Sequence, residues 1–408
     1  RQMCIRDSSD ADISEARASG GLLRGARLVG AVLSFTNLTG SDLSGSDLRG
    51  AYLADALLRG ANLTQAEIRG ANLSRAMLEG AVLKGTDVRD ADLEDALMRG
   101  ADLRGSKLTG ASMTGADLDG ALLSGADLNK ADLVEAHLDY ADLSGASLTG
   151  ADLTGASLEH ADLTGSDLSG SRIRKVDLDG ARIREATIAS ANIMESDLNW
   201  ADLRGSKIQH CLLARADLFG ADLSGCDLTG SDLTRAYLPR ANLSGSVMTE
   251  VRLDLADLTG ADLSGSDLHG IRTIGAIFDD ADISDVDLAG AILESMDMRR
   301  TRMLRANLRA ASFRVSNLEG TDLRGADLRD ASFETMAMSG VNLSGADLRG
   351  ARLTKVILTG DVDLRGADLE RIRYDEVSLQ SLAGSNLEGA RIGPDLKRDL
   401  DGLRADGP

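Results

Sequence analysis

The chain has 408 residues, with 45 basic and 65 acidic side chains, a net charge of −20, and 43% hydrophobic but only 2% aromatic residues. That balance argues against direct nucleic-acid binding, three cysteines make no disulfide framework, and no apolar run approaches the roughly 18 residues a membrane span needs. With no secretory pattern in the first residues, a cytoplasmic protein without membrane attachment is the default expectation.

Residues 1–10, RQMCIRDSSD, fit no repeat and contain Cys4, so they read as a scar or truncation edge outside the fold. From 11 to 360 one five-residue register runs unbroken through 70 pentads, of which ADLTG at 151–155 is typical. The third position is Leu in 50 of the 70 and fails to be a large apolar residue only at Ala18 and Thr273. The first position is Gly, Ala, Ser, Thr or Cys in 62 of 70, so something there lacks room. A step of five advances an α-helix by about 140°, which would smear the leucines around it. A long strand fails too, because five is odd and successive leucines would alternate faces. What remains is a short triplet, small residue in, polar residue out, Leu in, followed by a corner. A chain that turns at every pentad must coil.

Glycine at the fifth position suggests how many pentads close a coil. Sorted by residue number modulo 20, one class, beginning Glu15, Phe35, Asp55, has Gly at 3 of 18 positions, against 35 of 52 in the other three. The expectation is a four-faced coil of 20 residues in which three corners use positive φ and the fourth does not. The repeat A-[DN]-L-x-x over 11–394 resembles the pentapeptide-repeat family. That resemblance implies an all-β fold, a right-handed quadrilateral parallel β-helix. At a strand spacing of about 4.8 Å, about 17 to 19 coils would form a rod of about 85 Å, with each coil stabilised by its neighbours.

Further along, IRTIG at 271–275 places Ile in the small position and Thr in the Leu position, which predicts a local bulge. Phe313 and Phe333, one coil apart and beside Met298 and Met338, are read as core. Asp361 breaks the register, which resumes for four pentads from VDLRG to VSLQS, and a second break falls at 382–384. Residues 395–408 read as a C-terminal cap or tail, with Asp395 capping a short polar helix.

No catalytic constellation emerges. His137 and His160 fall on one face and His210 and His269 elsewhere, and no nucleophile-elbow, dinucleotide, Walker or zincin pattern is present. Cys211 and Cys226 occupy small inward positions and read as filler. A Ca²⁺ site needs six to eight converging oxygens, which flat ladders do not supply. The expectation is a non-enzyme with no cofactor and no metal. The basic run Arg299, Arg300, Arg302 and Arg305 reads as a solvated corner facing acidic neighbours.

The charges are uneven. Over 11–360 the four faces carry −2, −3, −3 and −8. On the most acidic face, pentads between 116 and 200 present Asp117, Asp119, Asp139, Glu159, Asp177, Asp179 and Asp197 with no Lys or Arg, all expected to point to solvent. Tyr140, His160 and Trp200 share a corner column there, followed on the same face by Phe219, Tyr237, Pro239 and Arg240. Rings beside a charged strip suit a protein contact, because aromatics bring large area at little rotamer cost. The sequence therefore reads as an elongated interaction or scaffold surface for a protein partner with a basic surface. The family resemblance implies an alternative: some members imitate DNA and bind DNA gyrase, inhibiting it or relieving quinolone poisoning. Against this, the tract is longer than theirs, has no projecting loops and lacks an aromatic carboxy-terminal dimer segment. A net charge of −20 over about 85 Å is also less than half the density of duplex DNA.

Overall fold

The computed structural model describes residues 7–405, with side chains to residue 403. Cys4 and the rest of 1–6 lie outside the described residues. The chain divides into two units, Arg1–Lys207 and Ile208–Pro408, each built as a parallel β-solenoid.

In the first unit the second residue of each pentad from Asp7 to Thr187 bridges in parallel to the residue 20 further on, as in Asp12 to Val32 and Val32 to Tyr52. The Leu N–H carries the next rung: Leu33 donates to the Tyr52 carbonyl at 2.7 Å. Its side chain turns inward, and Leu28, Leu33 and Leu48 have no exposed surface. Each such burial contributes about 1.5–3 kcal/mol. Ala at the first position is equally buried, as at Ala31 and Ala51, and its small size lets the corner backbone close over the interior. Residues 7–10, expected outside the repeat, already follow it: Asp7 bridges to Arg27 and Asp10 has a corner φ of 57°. A polar Ser8 in the Leu position had hidden that pentad.

The corners correct another expectation. Every fifth position from 10 to 360 has positive φ, including Glu15, Phe35 and Asp55 in the glycine-poor column. The Leu carbonyl usually accepts from the N–H three residues on, as Leu33 does from Thr36 at 3.1 Å, and no fourth position has positive φ. These are type II turns on all four faces. At many of these corners space is not the reason for glycine, since a Cβ at Gly60 would meet nothing within 4 Å; where the residue one coil back leans over the corner, as at Gly30 and Gly350, a Cβ would clash with it. The glycine-poor column instead carries side chains that meet along it, such as Arg75 and Asp55 at 2.7 Å.

Some corners are opened by a hydroxyl. The Val176 N–H donates to Ser196 Oγ of the next coil at 3.1 Å, and that hydroxyl donates to the Ile173 carbonyl. Ser206 does the same between Ala186 and Ile183. A small inward Ser thus supplies a hydrogen bond as well as room.

The second unit continues the same ladder, for example Asp217 to Tyr237 to Asp257, and then gains longer pairing. Strands β1 (Ile292–Glu294), β2 (Ser312–Arg314), β3 (Ser332–Ser339) and β4 (Arg352–Thr359) are followed by β5 (Asp368–Leu369) and β6 (Arg373–Tyr374). Helix α1 (Glu376–Ala383), β7 (Arg391–Ile392) and helix α2 (Pro394–Ala405) complete the chain. One parallel sheet has the order β1-β2-β3-β4-β6, and β5 pairs with β7. Phe313 and Phe333 stack in the interior, centroids 4.9 Å apart and planes 4° from parallel.

Three expectations change here. At 271–275 no residue is inserted, since Arg252 still bridges to Arg272 and Gly275 donates to the Glu294 carbonyl at 3.2 Å; the irregularity is a local break in the ladder rather than a bulge, with no bridge among the described residues from Arg272 to Ile292. VSLQS is not a pentad but part of α1, capped by Asp375, whose side chain accepts from the Ser378 N–H at 2.9 Å. Asp395 does not cap α2. The Gly393 carbonyl accepts the first helical bond from Lys397 at 3.0 Å, Pro394 takes the first turn that suits it, and Asp395 lies inside the helix. The Tyr374 hydroxyl ties α2 to β6 by donating to Asp399 at 2.7 Å, and burial followed by the Asp399 contact pushes its pKa up to about 12.

Candidate functional site

The acidic strip is built by the ladder itself. In the first unit Asp117, His137, Ser157, Asp177 and Asp197 bridge one to the next, so the residues expected on one side do share it. Asp119, Asp139, Glu159 and Asp179 occupy the fourth positions of the same pentads, and Tyr140, His160, Gly180 and Trp200 the corners.

The carboxylates are less free than the pattern implied. Asp117 and Asp119 are only 16% and 29% exposed at the side chain, and Arg99 of the preceding coil reaches both, at 2.5 and 3.2 Å. That arginine sits on the same face just before the stretch that had been read as free of cations. The Asp139 N–H donates to Asp119 at 3.2 Å, and the Glu159 N–H and Ser157 hydroxyl donate to Asp139 at 2.9 and 2.5 Å. Asp177 accepts from the Asp179 N–H at 3.0 Å and Asp197 from the Asn199 N–H at 2.9 Å. These acids turn back to satisfy backbone donors before they face any partner.

The corner column stands out further. Tyr140 and Trp200 are 65% and 60% exposed. The Tyr140 and His160 rings lie 5.2 Å apart at 47°, and His160 Nε2 is 3.5 Å from Glu159. His160 leans across Gly180: a Cβ there would come within 2.3 Å of its Nδ1. Together with Arg182, Asp142 and Asp162 these residues line a shallow polar hollow. Arg182 belongs to the adjoining face, and sorting residues by face had separated it from the strip.

In the second unit, Phe219 and Tyr237 stack with centroids 6.3 Å apart and planes 14° from parallel, and Tyr237 is 44% exposed. The Arg240 guanidinium stands 5.9 Å from the Phe219 ring centroid, within cation–π range, while Pro239 is buried. Among the described residues no three of His, Cys, Asp and Glu converge as metal ligands would, and no helix is long and apolar enough to cross a membrane. Cys211 and Cys226 are buried. Arg299, Arg300, Arg302 and Arg305 each pair one coil back, with Asp279, Asp280, Asp282 and Asp285.

A parallel β-solenoid in each unit, with rings and charges presented on the outside of the ladder, defines a coiled repeat protein. The family description "Pentapeptide repeats" matches stretches from residue 9 to residue 373, and the chain belongs to that family. Among solved structures it is similar to HetL, a pentapeptide repeat protein involved in heterocyst differentiation regulation from the cyanobacterium Nostoc sp. strain PCC 7120. Identity is 34% over 53% of this chain and 89% of that one, with a TM-score of 0.32. QnrB1, a plasmid-mediated fluoroquinolone resistance protein, is 22% identical over 52% of this chain and 92% of its own, with a TM-score of 0.28. Rfr23 from the cyanobacterium Cyanothece 51142 is 22% identical over 36% and 91%, with a TM-score of 0.14. A search of curated proteins returns no match.

Proposed function

We propose that the protein is a non-enzymatic scaffold that binds a protein partner with a basic surface, through the strip formed by Tyr140, His160, Trp200 and their flanking acids. The observation that carries this reading is the corner column itself: Tyr140 and Trp200 are more than half exposed beside Asp139, Glu159 and Asp179. Rigid rings on a hydrogen-bonded ladder cost little entropy on binding, and neighbouring carboxylates steer a cationic partner. The stacked Phe219 and Tyr237 of the second unit are a further anchor of the same chemistry.

A pull-down comparing the wild type with the combined Tyr140→Ala, His160→Ala and Trp200→Ala variant tests this, with Leu122→Ala as an exposed control on another face. Recovery of the principal partner is expected to fall at least about tenfold in the triple variant, the loss of one or two contact hot spots. Unchanged recovery of every partner would overturn the reading. The DNA-mimic alternative is less well supported, because Arg99 and backbone N–H groups already occupy much of the acidic ladder. A supercoiling assay addresses it directly: inhibition of gyrase, or relief of quinolone poisoning, would favour mimicry over the scaffold.

A further inference from the structure

A different face carries a second surface. The column of pentads that begins at 11–15 and 31–35 differs in sign between the units: from 11 to 195 it presents ten acidic residues and four basic, three of the latter in 171–175, and from 211 to 355 seven basic and four acidic. Phe35 and Tyr52, 60% and 55% exposed, stand on its acidic part in the first unit. On its basic part in the second unit stand Leu212, Leu255, Ile274, Ile292 and Val315, from 40% to 63% exposed.

The apolar part also has a groove. Ile271 fills a slot meant for a small residue and Thr273 one meant for Leu, and the next coil stands off. Among the described residues the rungs from the Thr273 N–H to the Ile292 carbonyl and from the Ile292 N–H to the Ile271 carbonyl are missing, and the buried Thr273 hydroxyl has no partner. Ile271, Ile274, Gly290 and Ile292 line the opening.

We infer that this face is a self-association surface, on which the acidic, aromatic part of one copy's first unit packs antiparallel against the basic, aliphatic part of another copy's second unit. The occupant follows from charge complementarity and from spacing within each unit. Two coils separate the pentads of Tyr52 and Asp92, and two coils separate those of Arg235 and Ile274. With the Tyr52 pentad set opposite the Ile274 pentad, Phe35 falls opposite Ile292 at the groove. Asp12 and Glu15 then meet Arg314, and Asp92, Glu94 and Asp95 meet Arg235. Among the described residues neither that acidic trio nor Arg235 makes an ion pair within 4 Å, although Arg75 of the preceding coil attracts Glu94 and Asp95 at longer range. Exposed rings entering an aliphatic groove give the contact an apolar centre, and the charges at its edge fix polarity.

Sedimentation velocity of the full chain across a concentration series tests the inference, with Ile292→Asp, Arg235→Glu, and Arg235→Glu combined with Glu94→Arg. Ile292 and Arg235 are exposed, so these changes are expected to leave the interior intact, with circular dichroism as the check that the coil survives. The wild type is expected to associate with a Kd below about 100 µM, Ile292→Asp and Arg235→Glu to weaken it at least about tenfold, and Glu94→Arg to restore the Arg235→Glu variant. A chain that stays monomeric at that concentration overturns the proposal, as does a dimer indifferent to Ile292→Asp. Phosphatidylserine vesicles are run in parallel: binding to them through Arg235 and Ile292 without self-association would assign the face to anionic lipid instead.

Discussion

At the residue scale, the second position of the repeat does more than point outward. The Asp142 carboxylate accepts the Ser144 N–H at 3.0 Å and the Ser144 hydroxyl at 2.6 Å, and Asn62 accepts the same two groups of Thr64 at 3.1 and 2.6 Å. An oxygen two residues before the corner pins the turn, which explains why Asp and Asn alternate there. The acceptor, not the charge, is therefore the recurring physical requirement of the coil. Asp142→Asn is expected to leave the urea midpoint nearly unchanged, whereas Asp142→Ala should cost about 1 kcal/mol, the usual worth of such a bond. Equal losses in the two variants would mean that charge, and not hydrogen bonding, stabilises the corner. Hydropathy alone could show that this position faces out; it could not show that the side chain folds back on its own backbone.

The corner is also the element that absorbs irregularity. Asp361 adds one residue after Gly360 and the ladder simply lengthens its step, so that Asn342 bridges to Asp363. Inward and outward alternation within the next triplet is preserved, and Val362 and Leu364 remain buried. The same tolerance should hold elsewhere. An Ala inserted after Gly60 is expected to leave the far-ultraviolet spectrum intact and stability little changed, because closing a slightly longer corner costs little. An Ala inserted between Asn62 and Leu63 would turn Leu63 outward and lower stability by at least the about 1.5–3 kcal/mol of its burial. Equal tolerance of both insertions, measured by urea unfolding, would contradict the triplet as the unit of pairing. Strand-and-corner geometry was legible because it rests on a period. Helix α1 was not, because V-S-L at 377–379 satisfies the pentad pattern as well as a helical turn, and only the Asp375 cap and the burial of Ser378, Leu379 and Leu382 decide between them.

At the scale of the molecule, the coil of each unit could be read from the sequence while its surface could be read only in outline. The ladder did bring Asp117, Asp177 and Asp197 onto one side, but the cation-free stretch was drawn one coil short of Arg99, and sorting by face set aside Arg182, whose side chain reaches the strip across a corner. The same limit bears on how so acidic a chain holds together. Asp87, Asp327 and Asp347 are held below the usual carboxylate range by hydrogen bonds from Arg89, Arg329 and Arg349, and Asp42 by the Ser44 hydroxyl and N–H. A carboxylate whose pKa is depressed on folding stabilises the native state above its unfolded pKa near 3.9, and that contribution disappears as pH falls through the folded value. The urea midpoint is therefore expected to fall between pH 5 and pH 2. Ionic strength separates the two causes. In about 1 M NaCl the exposed Arg–Asp pairs are screened over roughly 3 Å and contribute little, while hydrogen bonds from backbone N–H groups to Asp42 and its equivalents persist. Acid sensitivity that survives high salt, with little effect of salt at pH 7, is the expected result; loss of acid sensitivity in salt would show that charge pairing, rather than the acceptor oxygen of the repeat, holds the coils.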